Sequence, residues 1–158
     1  MTAHWIFPTF PTNYEICKKY RVFGVDERYE VTATQLIKPF DLVFFYITKE
    51  QIFKGPWIVK GRGRYNPNHP AVDEWYPKRK YTYLIPIDLM ETERVCPLER
   101  VFNKLLFITN RKKGKGGFSD HFQFSIISIR EEDFNLILEN SIHNHETSPF
   151  RRRGSKNY

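Results

Sequence analysis

The sequence predicts an α+β domain, a small curled β-sheet carrying short helices, and three observations point to it. The stretch from Lys38 to Gly61, KPFDLVFFYITKEQIFKGPWIVKG, is the longest strongly apolar segment of the 158 residues. Within it, Leu42 to Ile47 is rich in β-formers and too short for a helix, which predicts a central strand covered on both faces. After a polar break at Thr48 to Gln51, apolar character resumes at Ile52, Phe53 and Trp57 to Val59, as in the second strand of a hairpin. Gly55 and Pro56 are expected to interrupt that second strand with a bulge or bend, which suits a curled sheet better than a flat one. Finally, 14 Phe, 9 Tyr and 3 Trp favour β-rich packing and leave rings for a binding surface.

The remaining elements follow from local pattern. Ala3 to Phe7 reads as a strand ending at Pro8, and Thr12 with Glu15 reads as a capping box opening a helix from about Asn13 to Tyr20. Arg21 to Val25 is a short apolar segment in which Gly24 permits close approach of backbone or ligand. Thr32 and Gln35 are expected to cap a helical turn before Pro39. Lys60 to Lys80 is a long polar connection punctuated by Gly, Asn and Pro, a kind of loop that is usually functional. Tyr81, Tyr83 and Ile85 alternate with Thr82 and Leu84 in a third strand that continues toward Leu89. Pro97, Leu98, Val101, Phe102 and Leu105 have the spacing of a helix with Pro in its first turn. Phe122 to Ile129 reads as a strand, and Ser128 with Glu131 as the cap of a last helix that buries Phe134, Ile137 and Leu138. One domain is expected over residues 1–142, followed by a basic tail, 143–158, too poor in apolar residues to fold unaided.

The net charge of +7 and pI near 9.4 raise the expectation of a polyanionic partner. Fourteen of the 25 Lys and Arg residues fall in four clusters: Lys60, Arg62, Arg64; Lys78, Arg79, Lys80; Arg111, Lys112, Lys113, Lys115; and Arg151, Arg152, Arg153, Lys156. Cations concentrated in loops suit phosphate contacts, each of which releases counterions; the plain alternative is a solvated basic surface. Rings beside such loops can hold an unpaired or flipped base, and Phe23, Tyr46 and Trp75 stand out. Phe23 and Tyr46 also read as ordinary core, whereas a Trp in a polar loop has no evident structural task.

No catalytic signature is present. Ser119, Asp120 and His121 are consecutive, but neighbours on a strand point to opposite faces, and no GxSxG, phosphate loop or dinucleotide fingerprint occurs. His4, His69, His121, His143 and His145 form no metal pattern with Cys17 and Cys96, so neither metal nor cofactor is expected. Two cysteines without CxxC spacing, no secretory opening and no apolar run of bilayer length suggest a soluble cytoplasmic protein with reduced thiols.

Taken in order, HWIFPTFPTNYEI, RVFGV, KPFDLVFFYITKEQIFKGPWIV, YTYLIPI, NKLLFITN and IREEDFNLIL resemble the EVE domain family, which belongs to the PUA-like superfamily and is related to YTH domains. The resemblance covers roughly residues 3–140. It implies a mixed, curled β-barrel of about six strands flanked by short helices, with a pocket at one mouth. It further implies a non-catalytic module that reads a modified base, as YTH relatives read methylated adenine in RNA and EVE relatives are thought to read modified cytosine in DNA. On this resemblance Phe23, Gly24 and Val25 match the position of a cage tryptophan and its small neighbours. Trp75 matches a second cage ring and Asn13 the residue that reads the base edge. Thr9 or Phe10 would border the pocket, and Tyr46 would lie near it. Arg62, Arg64, Lys78, Arg79, Lys80, Arg111, Lys112, Lys113 and Lys115 would hold phosphates. Phe23 stands where YTH domains carry Trp, which weakens stacking on a partly cationic base. Modified DNA or RNA is the implied partner, with a nuclease or helicase as a further one. A general RNA-binding PUA-type module, a small-molecule binder or a hydrolase are the other readings.

Overall fold

The computed structural model describes residues 2–108 and 126–144. Its strands are β1 (His4–Thr9), β2 (Val22–Val25), β3 (Leu42–Ile47), β4 (Ile52–Val59), β5 (Arg64–Tyr65), β6 (Tyr83–Pro97), β7 (Ile127–Ile129) and β8 (Ile142–His143). Among the described residues three α-helices accompany them: α1 (Pro11–Tyr20), the single turn α2 (Ala71–Glu74) and α3 (Glu131–Glu139). Six strands form one continuous curled half-barrel in the order β2-β6-β4-β3-β1-β7, and the two-residue strands β5 and β8 add to β6. The β1–β3 pairing is parallel and the others are antiparallel, so the sheet is mixed.

β3 is central, as its apolar run predicts, and it divides the core by simple alternation. Val43, Phe45 and Ile47 enter one cluster with Phe7, Tyr14, Phe23, Trp57 and Trp75. Phe44 and Tyr46 enter the other, with Ile6, Phe53, Cys96, Leu98, Phe134 and Ile137. A helix packs on each face, α1 through Tyr14 and Cys17 and α3 through Phe134 and Ile137.

Several boundaries differ from the sequence reading. Pro8 does not end β1 but pairs with Tyr46 inside it. Among the described residues β7 pairs with β1 at His4 to Ile6, and Pro8 lies beyond that pairing. Helix α1 begins at Pro11, whose fixed φ suits a first turn, and no Thr12–Glu15 capping box forms. Likewise Arg130 is the N-cap of α3 without a side-chain cap, and Ser128 belongs to β7. Thr32 to Leu36 forms a π-type turn after Val31, again without the expected cap. Gly55 and Pro56 do not break β4. The strand runs through them, and its register slips against both β3 and β6, so the predicted bulge forms within a continuous strand. Gly55 has φ +154°, and a Cβ there would lie 3.1 Å from both the Phe44 ring and the Val43 carbonyl.

β6 runs eight residues beyond Leu89, to Pro97, through a stretch whose exposed Met90, Glu91 and Thr92 carry no apolar alternation. The segment after Pro97 forms a single 3₁₀ turn, Leu98–Arg100, and further turns rather than a helix, although Leu98, Val101, Phe102 and Leu105 are all buried. Their spacing marked a buried face, which one tight turn satisfies as well as a helix. The first half of the predicted strand from Phe122, residues 122–125, and all but His143 and Asn144 of the predicted tail, lie outside the described residues. His143 pairs with Arg94 on β6.

Candidate nucleic-acid interface

At one end of the first core cluster, the end of β1, helix α1, strand β2 and the loop after α2 enclose a cavity of about 220 Å³. That is smaller than the ~300–1,000 Å³ of pockets for drug-sized ligands. It suits one planar heterocycle. Its rings are Phe10, Phe23, Tyr29, Trp75 and Tyr81; its polar lining includes Asn13, Asp26 and Thr48; and Arg28 and Lys80 also border it.

Trp75 reaches the cavity because α2 ends just before it and the loop folds back onto α1. Asn13 holds this return: its side-chain amide donates to the Tyr76 carbonyl at 2.8 Å and its carbonyl accepts the Tyr76 N–H at 3.0 Å. Trp75 and Cys17 are buried in the same cluster, and burial pushes the Cys17 thiol up to about 12. Gly24 lies under the indole, where a Cβ would come within 2.5 Å of Cζ3 and 2.7 Å of Cη2. The glycine is therefore required by Trp75. Phe23 stacks on Phe7 at 4.3 Å, with 13° between the rings, and meets Phe45 edge-on. Tyr81 stands perpendicular to Trp75 at 6.3 Å.

Asp26 and Arg28 form a pair on the cavity wall. The carboxylate accepts the Arg28 backbone N–H at 3.0 Å and its guanidinium at 3.1 Å, which holds Arg28 above its ordinary pKa. The Tyr81 phenol is raised, first by burial and then by the Asp26 charge. Thr48, at the end of β3, is 7% exposed, and its Oγ1 has no hydrogen-bond partner among the described residues. That oxygen is itself shut off from solvent, and such a buried orphan costs ~1–3 kcal/mol.

The structure thus brings Asn13, Phe23, Gly24, Val25 and Trp75 to one cavity and separates Tyr46 from it. Tyr46 is buried in the second core cluster against Phe53, at 5.2 Å between ring centres. The strand's alternation puts it on the face opposite Phe45. Thr9 and Phe10 both border the cavity. Of the phosphate residues expected, Lys80 borders the cavity and Arg79 lies in the trough beside it, paired with Asp73 at 3.0 Å. Lys78 and Arg64 are exposed. Arg62 has a structural task instead, donating to the Thr34 and Gln35 carbonyls at 3.4 and 2.9 Å. Arg111, Lys112, Lys113 and Lys115, like Ser119 to His121, lie outside the described residues.

Sequence reasoning missed Asp26, Arg28, Tyr29, Thr48 and Tyr81. The triad Asp26-x-Arg28-Tyr29 directly after RVFGV was a usable signal; Thr48 looked like a polar hairpin residue and Tyr81 like a strand opening. Among the described residues, no group of three His, Cys, Asp or Glu side chains could hold a metal ion. No described helix is long and apolar enough to cross a membrane.

No family model matches the chain. It is 29% identical over 147 residues to a UPF0310 protein of Pyrococcus horikoshii, covering 85% of this chain and 96% of that protein. A UPF0310 protein of Pyrococcus abyssi is 28% identical over 143 residues with the same coverage. Among solved structures, human THYN1 in complex with DNA containing 5-methylcytosine superposes with a TM-score of 0.53 at 15% identity, covering 87% of this chain and 96% of that one. Rpa0253 from Rhodopseudomonas palustris gives 0.53 at 13% identity, covering 91% and 98%. Atu2648 from Agrobacterium tumefaciens gives 0.52 at 17%, covering 88% and 93%. At these identities the likeness is one of fold, and the fold of this chain is PUA-like.

Proposed function

We propose that the chain is a non-catalytic nucleic-acid-binding module of the EVE kind that takes one modified base into the cavity of Phe23, Trp75 and Tyr81. The observation that carries this reading is the ring-lined cavity itself, with Asn13, Asp26 and Thr48 in its wall and Arg28 and Lys80 at its border. A flat heterocycle fills such a space by ring contact. Asp26, rather than Asn13, is the principal edge reader, because most of the Asn13 amide is engaged by Tyr76. Asp26 supplies an acceptor suited to an exocyclic amino group, which favours cytosine or adenine derivatives. Arg28 and Lys80 hold the backbone. That THYN1, of similar fold, was solved with DNA containing 5-methylcytosine supports a nucleic-acid partner. A duplex base must be flipped out at a cost of a few kcal/mol, which favours modified or mispaired positions. A nuclease or helicase acting on the marked site is the partner this role calls for.

The test is fluorescence binding to matched DNA and RNA oligonucleotides carrying unmodified bases, 6-methyladenine, 5-methylcytosine or 5-hydroxymethylcytosine. One modified base is preferred by wild type, Asp26→Ala loses that preference, and Arg28→Ala with Lys80→Ala weakens binding to every oligonucleotide alike. Equal binding of all oligonucleotides by wild type overturns the reading. A general RNA-binding PUA-type module would then stand, a reading favoured by the stacking of Phe23 on Phe7, which occupies one face of that ring.

A further inference from the structure

A second depression, an open trough of about 650 Å³, adjoins the cavity and shares Asp26, Arg28 and Lys80 with it. Arg79, Tyr65 and Tyr83 complete much of its lining. Tyr65 is 64% exposed on the edge strand β5. It pairs in register with Tyr83 on β6, their ring centres 5.3 Å apart and their planes at 48°. A large ring left in solvent beside Arg79 and Lys80, and backed by a second ring, is the combination that single-stranded nucleic acid uses: stacking for a base and cations for its phosphate.

We propose that Tyr65 is the stacking platform for the nucleotide next to the one in the cavity, with Lys80 and Arg79 on the phosphate between them. This deepens the base-reader reading and rests on it. The shared wall makes the geometry economical, because Lys80 and Arg28 border both depressions and a chain leaving the first passes over them into the second. Glu27 also lines the trough. The site therefore takes a short single-stranded or locally opened segment rather than an isolated base.

The experiment compares 5′-mononucleotides of 5-methylcytosine and of 6-methyladenine with single-stranded trinucleotides carrying the same base in the middle, flanked either by thymines or by abasic residues. Wild type is expected to bind the thymine-flanked trinucleotide about fivefold or more tighter than the abasic one, the lower range for stacking of one base. Tyr65→Ala removes that difference and leaves mononucleotide affinity unchanged, whereas Tyr65→Phe keeps it. Equal affinity of wild type for thymine-flanked and abasic trinucleotides overturns the platform while leaving the cavity reading intact, as does a difference that survives in Tyr65→Ala. Failure of every probe to bind overturns the cavity reading, and the platform with it.

Discussion

Gly24 is the residue on which the shape of the cavity turns. Its missing side chain lets Trp75 lie on β2, and an added Cβ would sit 2.5 Å from the indole and 3.0 Å from the Tyr81 Cβ. Neither neighbour can yield easily, since Trp75 is buried against Cys17 and its loop is tied to α1. Overpacking of this kind costs ~1–3 kcal/mol. Gly24→Ala is therefore expected to lower the thermal midpoint, measured by circular dichroism, and to abolish base preference while the salt-dependent part of binding persists. A wild-type midpoint in that variant would show that the indole has room to move. The sequence singled out Gly24 correctly as a point of close approach, yet the object approaching is Trp75. Nothing in RVFGV can say which distant residue folds over it.

At the scale of elements, the cavity depends on how the loop after α2 is attached to α1. Two hydrogen bonds from Asn13 fasten the Tyr76 backbone, 63 positions away, and Lys19 with Tyr20 holds Glu74 at the other end of the same segment. Each bond from a neutral side chain contributes ~0.5–1.5 kcal/mol net, and breaking them leaves the buried part of the loop unsatisfied. Asn13→Ala is expected to raise amide hydrogen exchange across residues 73–80 relative to wild type, with the exchange of β3 and β4 unchanged. Uniform exchange changes throughout the domain would instead make Asn13 a residue of global stability. The strands themselves were readable where burial is periodic: Leu42 to Ile47 emerges with the predicted bounds because both of its faces are covered. β6 was only half readable, since its middle is exposed and an exposed strand leaves no apolar rhythm. The capping boxes failed for a related reason. Pro11 and tertiary contacts set the helix starts, and capping residues are weak against either.

Across the whole molecule, a buried polar network joins α1, β4, β6 and the end of the described chain. Glu93, 8% exposed on β6, accepts the Tyr14 hydroxyl and the Asn144 amide and pairs with Lys18 at 3.4 Å, while the Trp57 indole donates to the Tyr14 oxygen at 3.3 Å. Burial first, and then the Glu93 charge, hold the Tyr14 phenol far above its ordinary value of 10.0. The sign follows: below about pH 10 both folded and unfolded chains keep this proton, and above it the unfolded chain releases the proton first. The phenol's contribution is thus complete below pH 10 and falls as the pH rises further. Urea unfolding between pH 8 and 11 is expected to show wild type losing stability more steeply than Tyr14→Phe, which begins ~1–3 kcal/mol lower. Parallel profiles for the two proteins would remove Tyr14 from the alkaline transition.

What the sequence by itself determined are the things local pattern controls: the central hairpin, the aromatic surplus, the bulge at Gly55 and the excess of positive charge. It also placed Phe23, Gly24 and Trp75 in one group, through resemblance rather than periodicity. Only the tertiary structure decided which rings converge. Tyr46 fell out because alternation along β3 assigns it to the far core, and Asp26, Arg28, Thr48 and Tyr81 came in because three separate segments meet at the same mouth. Periodicity reports whether a side chain is buried, and a pocket is defined by what it is buried beside, which is set by contacts between residues far apart in the chain.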